Sequence, residues 1–170
     1  MTTASSAPEI AGKNITIRPL CHADMDMEAE FIRRLSPRSR HYRFLGGVRE
    51  LSAEELKAFC DVDGHRTMAF VATVPDNGHE REVGVVRYAP NARTDAREIA
   101  VTVADEWQNQ GIGTRLARQL IEHAREHGVK RLYSVDLADN APMRALAGDL
   151  GMTADRDPDD AHQVIYSLEL

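Results

Sequence analysis

Short apolar strands and short helices alternate along the first half of the chain. Apolar and polar residues alternate over 15–18, which predicts a first strand that ends at Pro19. Helical spacing of apolar residues predicts helices over 24–35, 36–42 and 52–60, and the last begins with a capping box from Ser52 to Glu55. Two apolar strands, over 67–74 and 82–88, flank a turn at 75–78, which is typical of a hairpin.

In the second half, strands and helices follow one another in regular order. β-Branched residues predict a strand over 98–104, and a polar turn over 105–110 follows. An apolar residue then recurs at four-residue steps, which predicts a helix that ends at Gly128; the residues are Ile112, Leu116, Leu120 and Ala124. A strand over 131–136, a helix over 140–151 and a strand over 162–168 follow. This order predicts an α+β fold, with a mixed sheet and helices on both of its faces.

Composition and charge narrow the class of protein. The 170 residues predict one domain over 13–170 behind a flexible N-terminal tail, 1–12. No apolar run approaches the roughly 20 residues that span a bilayer, and the N-terminus lacks a signal peptide, so we expect no membrane partner and a cytoplasmic location. The net charge of −6 argues against nucleic acid and suits a cationic partner such as an amine. Either a monomer or a homodimer fits these data.

Cysteine usage adds little. Cys21 and Cys60 match no metal or redox spacing, and a reducing compartment suits them. The sequence leaves a disulfide between them open.

The turn that begins the long helix is a candidate anion site. Amides in a first helical turn are free, and the helix dipole favours negative charge there. Gly111 and Gly113 let a ligand approach the main chain closely, although a tight packing turn explains the same glycines. The motif is neither a P-loop nor a dinucleotide fingerprint, because the lysine of the first and the third glycine of the second are missing.

Several segments, in the expected order, resemble the GNAT superfamily of acyl-CoA N-acyltransferases. The segment from Gln108 to Gly113 resembles its Gln/Arg-x-x-Gly-x-Gly/Ala motif, and 140–152 is similar to its Asn-x-x-Ala-x-x-Leu-Tyr-x-x-x-Gly-Phe helix. Ile17-Arg18-Pro19 resembles its usual first strand. Segments 35–44 and 49–52 are similar to the acetyltransferase domain of Pat-type bacterial protein lysine acetyltransferases.

The resemblance implies a GNAT fold, whose mostly antiparallel mixed sheet splays at the cofactor cleft. It implies acetyl-CoA as co-substrate and a protein lysine as acceptor. A small-molecule amine N-acetyltransferase and a non-catalytic acyl-CoA-binding sensor module remain alternatives.

The resemblance also assigns coenzyme contacts. The pyrophosphate is expected on the main chain of the turn, at Gln108, Asn109, Gln110, Gly111, Ile112, Gly113 and Thr114. The pantetheine arm is expected along Val101, Thr102 and Val103. Asn140 is expected to reach the coenzyme, and an N-cap of the following helix is its alternative role.

Glu98 is the candidate general base, since it resembles the glutamate at this position in Pat-type enzymes. We expect partial burial to raise its pKa, and an ion pair with Arg97 or Arg87 is the alternative. No general acid is assigned, because Ala147 stands where many family members have a tyrosine, and neither Tyr133 nor Tyr166 can be moved to that role.

A metal site is not expected. His123-x-x-Glu126-His127 has the spacing of an inverted zinc-protease motif, but the helix ends directly afterwards and no third ligand is evident. Histidines at a helix C-terminus are favoured by the dipole without any metal.

Overall fold

A computed structural model describes residues 13–46 and 50–170. The expected tail, 1–12, and Arg49 of the Pat-like segment lie outside the described residues. Seven strands form one sheet, in the spatial order Thr16–Pro19, Met68–Asp76, His79–Pro90, Arg97–Val103, Arg131–Leu137, Gln163–Glu169 and Thr153–Arg156. Every neighbouring pair is antiparallel except Arg97–Val103 and Arg131–Leu137, which are parallel, so the sheet is mixed and mostly antiparallel, as expected.

The helices and strands follow the sequence pattern closely. The first half contains β1 (Thr16–Pro19), α1 (Met25–Arg34), α2 (Pro37–Phe44), α3 (Ala53–Cys60), β2 (Met68–Asp76) and β3 (His79–Pro90). The second half contains β4 (Arg97–Val103), α4 (Ile112–Glu126), β5 (Arg131–Leu137), α5 (Ala141–Asp149), β6 (Thr153–Arg156) and β7 (Gln163–Glu169). The capping box at the start of α3 is formed, with Glu55 and Ser52 bonding each other's backbone amides.

Strand β6 is absent from the sequence prediction. Its four residues, Thr153–Arg156, are all exposed, so no apolar pattern marks them. The strand forms at the sheet edge by antiparallel pairing with β7. Non-local backbone pairing, and not local sequence, therefore defines it.

The helices cover both faces of the sheet. A Cβ added to Gly84 in β3 would lie 3.1 Å from Leu116 of α4. Three residues along the same strand, Arg87 donates to Glu28 of α1 at 2.6 Å. Side chains alternate between faces along a strand, so α4 and α1 lie on opposite faces. The expected arrangement of helices is confirmed. Among the described residues, no helix is long and apolar enough to cross a membrane.

Strands β4 and β5 pair only where both begin. Their register contains two pairs, Arg97↔Leu132 and Glu98↔Tyr133. Beyond them β4 continues to Val103 and β5 to Leu137 without pairing to each other. The sheet thus splays open at this point, as the resemblance implies.

A buried acidic pair lies beneath α1. Glu28 and Glu82 are 1% and 4% exposed, and Arg87 donates to Glu28 Oε1. When both acids are ionised, Glu28 Oε2 and both carboxyl oxygens of Glu82 have no hydrogen-bond partner among the described residues. Burial is the main cause that raises the pKa of Glu82 well above its ordinary value, and the charge of Glu28 adds to it. A proton held by Glu82 gives the pair one hydrogen bond, which Glu82 donates to Glu28.

The raised pKa predicts that Glu82→Gln stabilises the protein at neutral pH. A group whose pKa is higher in the folded state stabilises below its unfolded pKa, and that stability is lost as pH rises toward the folded pKa. We expect the variant to gain about 1–3 kcal/mol in free energy of unfolding at pH 7 and little near pH 4. Urea denaturation across this pH range measures the difference. Glu126→Gln, at an exposed position, is the control; a Glu82→Gln curve parallel to the wild-type curve would refute the assignment.

Candidate active site

A cleft of about 650 Å³ opens where β4 and β5 diverge. Its walls are formed by β4, the turn before α4, β5 and α5, and α2 lies along one side. Eleven of the twelve residues expected from the sequence line it: Glu98, Val101, Thr102, Val103, Gln108, Asn109, Gly111, Ile112, Gly113, Thr114 and Asn140. Gln110 is not among the lining residues. Its side chain accepts from Lys13 and donates to the Glu106 carbonyl instead.

The backbone of β4 offers unpaired amides to this cleft. Ala104 donates to the Val83 carbonyl of β3 at 2.9 Å. Residues of an antiparallel pair alternate between those bonded to the partner strand and those directed away from it. By this alternation Thr102 bonds to β3, whereas Val101 and Val103 direct their amides and carbonyls away from it.

A side-chain contact supports this orientation. The Val103 carbonyl accepts from Gln108 Nε2 at 3.0 Å on the side away from β3. Because β5 has already diverged there, the amides of Val101 and Val103 have no strand partner on that side. Of the three residues expected along the pantetheine arm, Thr102 uses its amide in the sheet, and the amides of Val101 and Val103 have no strand partner.

The N-terminus of α4 closes one end of the cleft. Gly111 is its N-cap with φ of 80°, and Asn109 also has a positive φ, of 58°. The backbone amide of Arg115 donates to the Gly111 carbonyl at 3.1 Å, which is the first hydrogen bond of the helix. The amides of Ile112, Gly113 and Thr114 precede that bond, so they point out of the helix end. This arrangement fits a diphosphate, which the helix dipole also favours.

Gly113 leaves little room beside the cleft. A Cβ at this position would lie 3.5 Å from Val103 and 3.7 Å from Val101. A larger side chain must therefore press against β4 or enter the cleft. The glycine keeps the main chain accessible at the point where the turn meets β4, and these residues fit a coenzyme A chain from pyrophosphate to thioester.

Helix α2 is tied to the β4 side of the cleft by polar contacts. Ser36 and Ser39 donate their hydroxyls to Asp105 at 2.6 and 2.7 Å, and Gln108 donates to Ser39 at 3.2 Å. At the other side, Tyr42 donates to the Asp139 carbonyl at 3.4 Å. No local sequence signal predicts these contacts across the cleft, since Asp105 lies 69 positions from Ser36.

Asn140 caps α5 and also lines the cleft. Its Oδ1 accepts from the Met143 amide at 3.1 Å, which confirms the N-cap alternative. The side chain is 8% exposed. The Nδ2 group of the Asn140 side chain is thus held in a fixed position at the wall of the cleft.

Glu98 lies at the point where the strands separate. Its side chain is exposed, so the expected partial burial is wrong. The alternative ion pair is wrong as well, because Arg87 pairs with Glu28 and Arg97 donates to the Asp95 carbonyl. Tyr133, its partner across the strands, donates to Glu98 Oε2 at 3.3 Å.

Tyr133 connects Glu98 to the preceding loop. Asn91 Nδ2 donates to the Tyr133 hydroxyl at 2.6 Å, and the hydroxyl donates onward to Glu98. Burial is the main cause that raises the pKa of Tyr133, and the charge of Glu98 adds to it. The tyrosine therefore remains a neutral donor that orients the carboxylate.

Two further charged groups in the cleft were missed by sequence reasoning. Asp136 of β5 is half-buried and accepts from Ser134 Oγ. Burial raises the pKa of Asp136, and the Glu98 charge adds to this, while the Ser134 bond opposes it. Burial and the charge of Arg87 lower the pKa of Arg43 to about 10. Asp136 belongs to no motif, and Arg43 lies in the Pat-like segment 35–44 without an assigned role, so only the fold places both in the cleft.

The histidines of the zinc-like motif stack on each other. The rings of His123 and His127 are 3.9 Å apart, and each ring bonds a backbone carbonyl, of Gly64 and of His123 respectively. Over residues 13–46 and 50–170, no group of three or more His, Cys, Asp or Glu could hold a metal ion. Cys21 and Cys60 are both free.

A mixed sheet that splays beside a helix N-terminus indicates an acyltransferase that uses acyl-CoA. The family model of the acetyltransferase (GNAT) family matches residues 31–152, so the chain belongs to that family and is an N-acetyltransferase. Members of this family generally take the acetyl group from acetyl-CoA.

Individual proteins agree with this assignment. An acetyltransferase of Pseudomonas aeruginosa is 46% identical over 159 residues, which cover 94% of this chain and 86% of that protein. The crystal structure of the GNAT domain of S. lividans PAT matches with a TM-score of 0.80 at 26% identity, over 91% of this chain and 89% of that one. The ribosomal-protein-S5-alanine acetyltransferase of Vibrio fischeri shares the fold, with a TM-score of 0.70 at 15% identity over 91% and 92% of the two chains.

Proposed function

We propose that this protein transfers the acetyl group of acetyl-CoA to a lysine side chain of another protein, with Glu98 as general base. One observation carries the proposal. The α4 N-terminus, the outward amides of Val101 and Val103, and the Glu98 carboxylate follow one another along a single cleft. They match in order a pyrophosphate, a pantetheine arm with its thioester, and an attacking amine.

The chemistry requires a neutral amine beside the thioester carbonyl. A lysine ammonium has a pKa of about 10.4, so a base must remove a proton before attack. Glu98 is accessible to solvent and is oriented by Tyr133, which suits proton acceptance directly or through one water. The Val101 amide is the donor for the oxygen that becomes negative as the amine adds to the carbonyl carbon.

Two features favour a protein lysine as acceptor. The Glu98 side chain is exposed, and a long, flexible lysine on another protein can reach such a carboxylate. The protein also matches the GNAT domain of a PAT protein over nearly its whole described length. Both features support the acceptor class without identifying a particular partner.

An acceptor panel tests the proposal. The protein is incubated with acetyl-CoA and either folded lysine-bearing proteins or small primary amines, and acetylation is followed by mass spectrometry and by release of free thiol. We expect acetylation of protein lysines at a kcat/KM well above that of any small amine. A preference for small amines would overturn the acceptor assignment, and thioester binding without transfer to any amine at any pH would overturn catalysis.

A further inference from the structure

Asp136 lies opposite the expected position of the thioester. The parallel register runs Arg97↔Leu132 and Glu98↔Tyr133, and continuing it along the two diverging strands brings Val101 opposite Asp136. Side chains alternate between the two faces along a strand, so Asp136 projects to the same face as Leu132. Val101 likewise projects to the same face as Arg97, which is the register partner of Leu132. Both residues line the cleft. Asp136 and Val101 therefore project to the same face of the sheet, from opposite walls of the cleft that is proposed to hold the acyl group.

The residue that stands where many family members have a tyrosine donor is an alanine. Ala147 of α5 is buried and packs with Met143 and Tyr166 in a small apolar cluster. Tyr166 is itself 3% exposed and does not line the cleft. Tyr133 donates its proton to Glu98. Tyr42 also lines the cleft, but it donates to the Asp139 carbonyl. Asp136 is the carboxyl group on the β5 wall, across the cleft from Val101.

We propose that Asp136 is the general acid that protonates the sulfur of coenzyme A as the thioester breaks. This inference rests on the proposed acetyl transfer. The neutral amine nitrogen bonds to the carbonyl carbon and releases its extra proton to solvent, and the carbon–sulfur bond then breaks with its electron pair on sulfur. The Asp136 proton moves to that sulfur, which leaves a free thiol and an Asp136 carboxylate. Solvent returns a proton to the carboxylate before the next cycle.

The charges around Asp136 suit a proton donor. Glu98 on β4 carries negative charge toward it, and Tyr166 on β7 and Ser134 on its own strand are neutral polar neighbours. Arg43 on α2 is the cation that acts against protonation. Burial and the Glu98 charge outweigh Arg43 and the Ser134 bond, and they raise the pKa of Asp136 above its ordinary value. A carboxyl group is a stronger acid than a thiol, whose pKa is roughly 8.5, so proton transfer from Asp136 to the departing thiolate is favourable.

Asp136→Asn tests the inference, because asparagine keeps the shape and removes the acidic proton. A thiolate leaves moderately well without help, so we expect kcat to fall by about 10- to 10²-fold, less than for loss of a base. The KM for acetyl-CoA should stay within about threefold of the wild-type value. The kcat of the wild-type protein should fall at high pH as Asp136 loses its proton, and the variant should lack this fall. Asp139→Asn, at an exposed position three residues away, is the matched control and should leave all three quantities unchanged.

Each outcome is decisive. An unchanged kcat, a changed KM with unchanged kcat, or a variant pH profile that keeps the alkaline fall would overturn the role of Asp136. Thermal unfolding of both variants verifies that they fold. If the wild-type protein itself acetylates no amine, the proposed function fails; if the wild-type protein is active and Asp136→Asn equally active, only this inference fails.

Discussion

Replacing Glu98 by glutamine is expected to lower kcat by about 10²-fold or more while acetyl-CoA still binds. Glutamine keeps the hydrogen bond from Tyr133, so the geometry persists and only the proton acceptor is lost. The remaining activity should rise with pH, because hydroxide and the free amine replace the base. Steady-state kinetics from pH 6 to 10, with calorimetric titration of acetyl-CoA, measures both effects.

A matched variant distinguishes the loss of a negative charge from the loss of the general base. Glu106→Gln removes one exposed carboxylate from a residue that does not line the cleft, and it should leave kcat unchanged. Activity of Glu98→Gln close to that of the wild-type protein at neutral and at high pH would leave Glu98 without the proposed role. A loss of coenzyme binding in the same variant would show that the carboxylate holds the ligand.

Replacing Gly113 by leucine is expected to raise the KM for acetyl-CoA by about 10-fold or more. A Cβ there already lies within van der Waals distance of Val101 and Val103, so the leucine side chain must occupy space next to the α4 amides. Diphosphate and pantetheine both need that space. The kcat at saturating acetyl-CoA should change less, because Glu98 lies at the far end of β4. Initial rates over a range of acetyl-CoA concentrations give both constants.

Gly148→Leu is the control for this variant. Gly148 is an exposed helical glycine, and a Cβ added there meets nothing within 4 Å. It should leave the KM unchanged. Equal coenzyme binding by the wild-type protein and Gly113→Leu would contradict the placement of the pyrophosphate at the α4 N-terminus.

Local signals account for the elements that the sequence predicted. The capping box fixed the start of α3, and the apolar stripe of α4 is buried at Ile112, Leu116, Leu120 and Ala124. A helix stop at Gly128 agrees with its φ of 75°. These features depend on a few neighbouring residues, so a single sequence contains them.

The features that sequence reasoning missed depend on distant pairing. Strand β6 has no apolar pattern, and the bonds from α2 to Asp105 join segments far apart in the chain. Asp136 becomes part of the site only because β5 diverges from β4 after two pairs. Local composition contains no information on where that divergence starts.

The environment of Glu98 shows the same limit. The residue begins an apolar strand, so the sequence predicts burial. It is also the last residue of β4 that pairs with β5, and its side chain therefore stands at the open mouth of the splay. Its position in the strand was predictable, but its exposure depends on the point at which two strands part.

A crystal structure of the acetyl-CoA complex tests the central claim most directly. We expect the thioester oxygen about 3 Å from the Val101 amide nitrogen, the pyrophosphate at the amides of residues 112–114, and the acetyl carbon turned toward Glu98. Coenzyme bound outside the β4–β5 splay, or a splay filled by the protein's own side chains in that complex, would contradict the account.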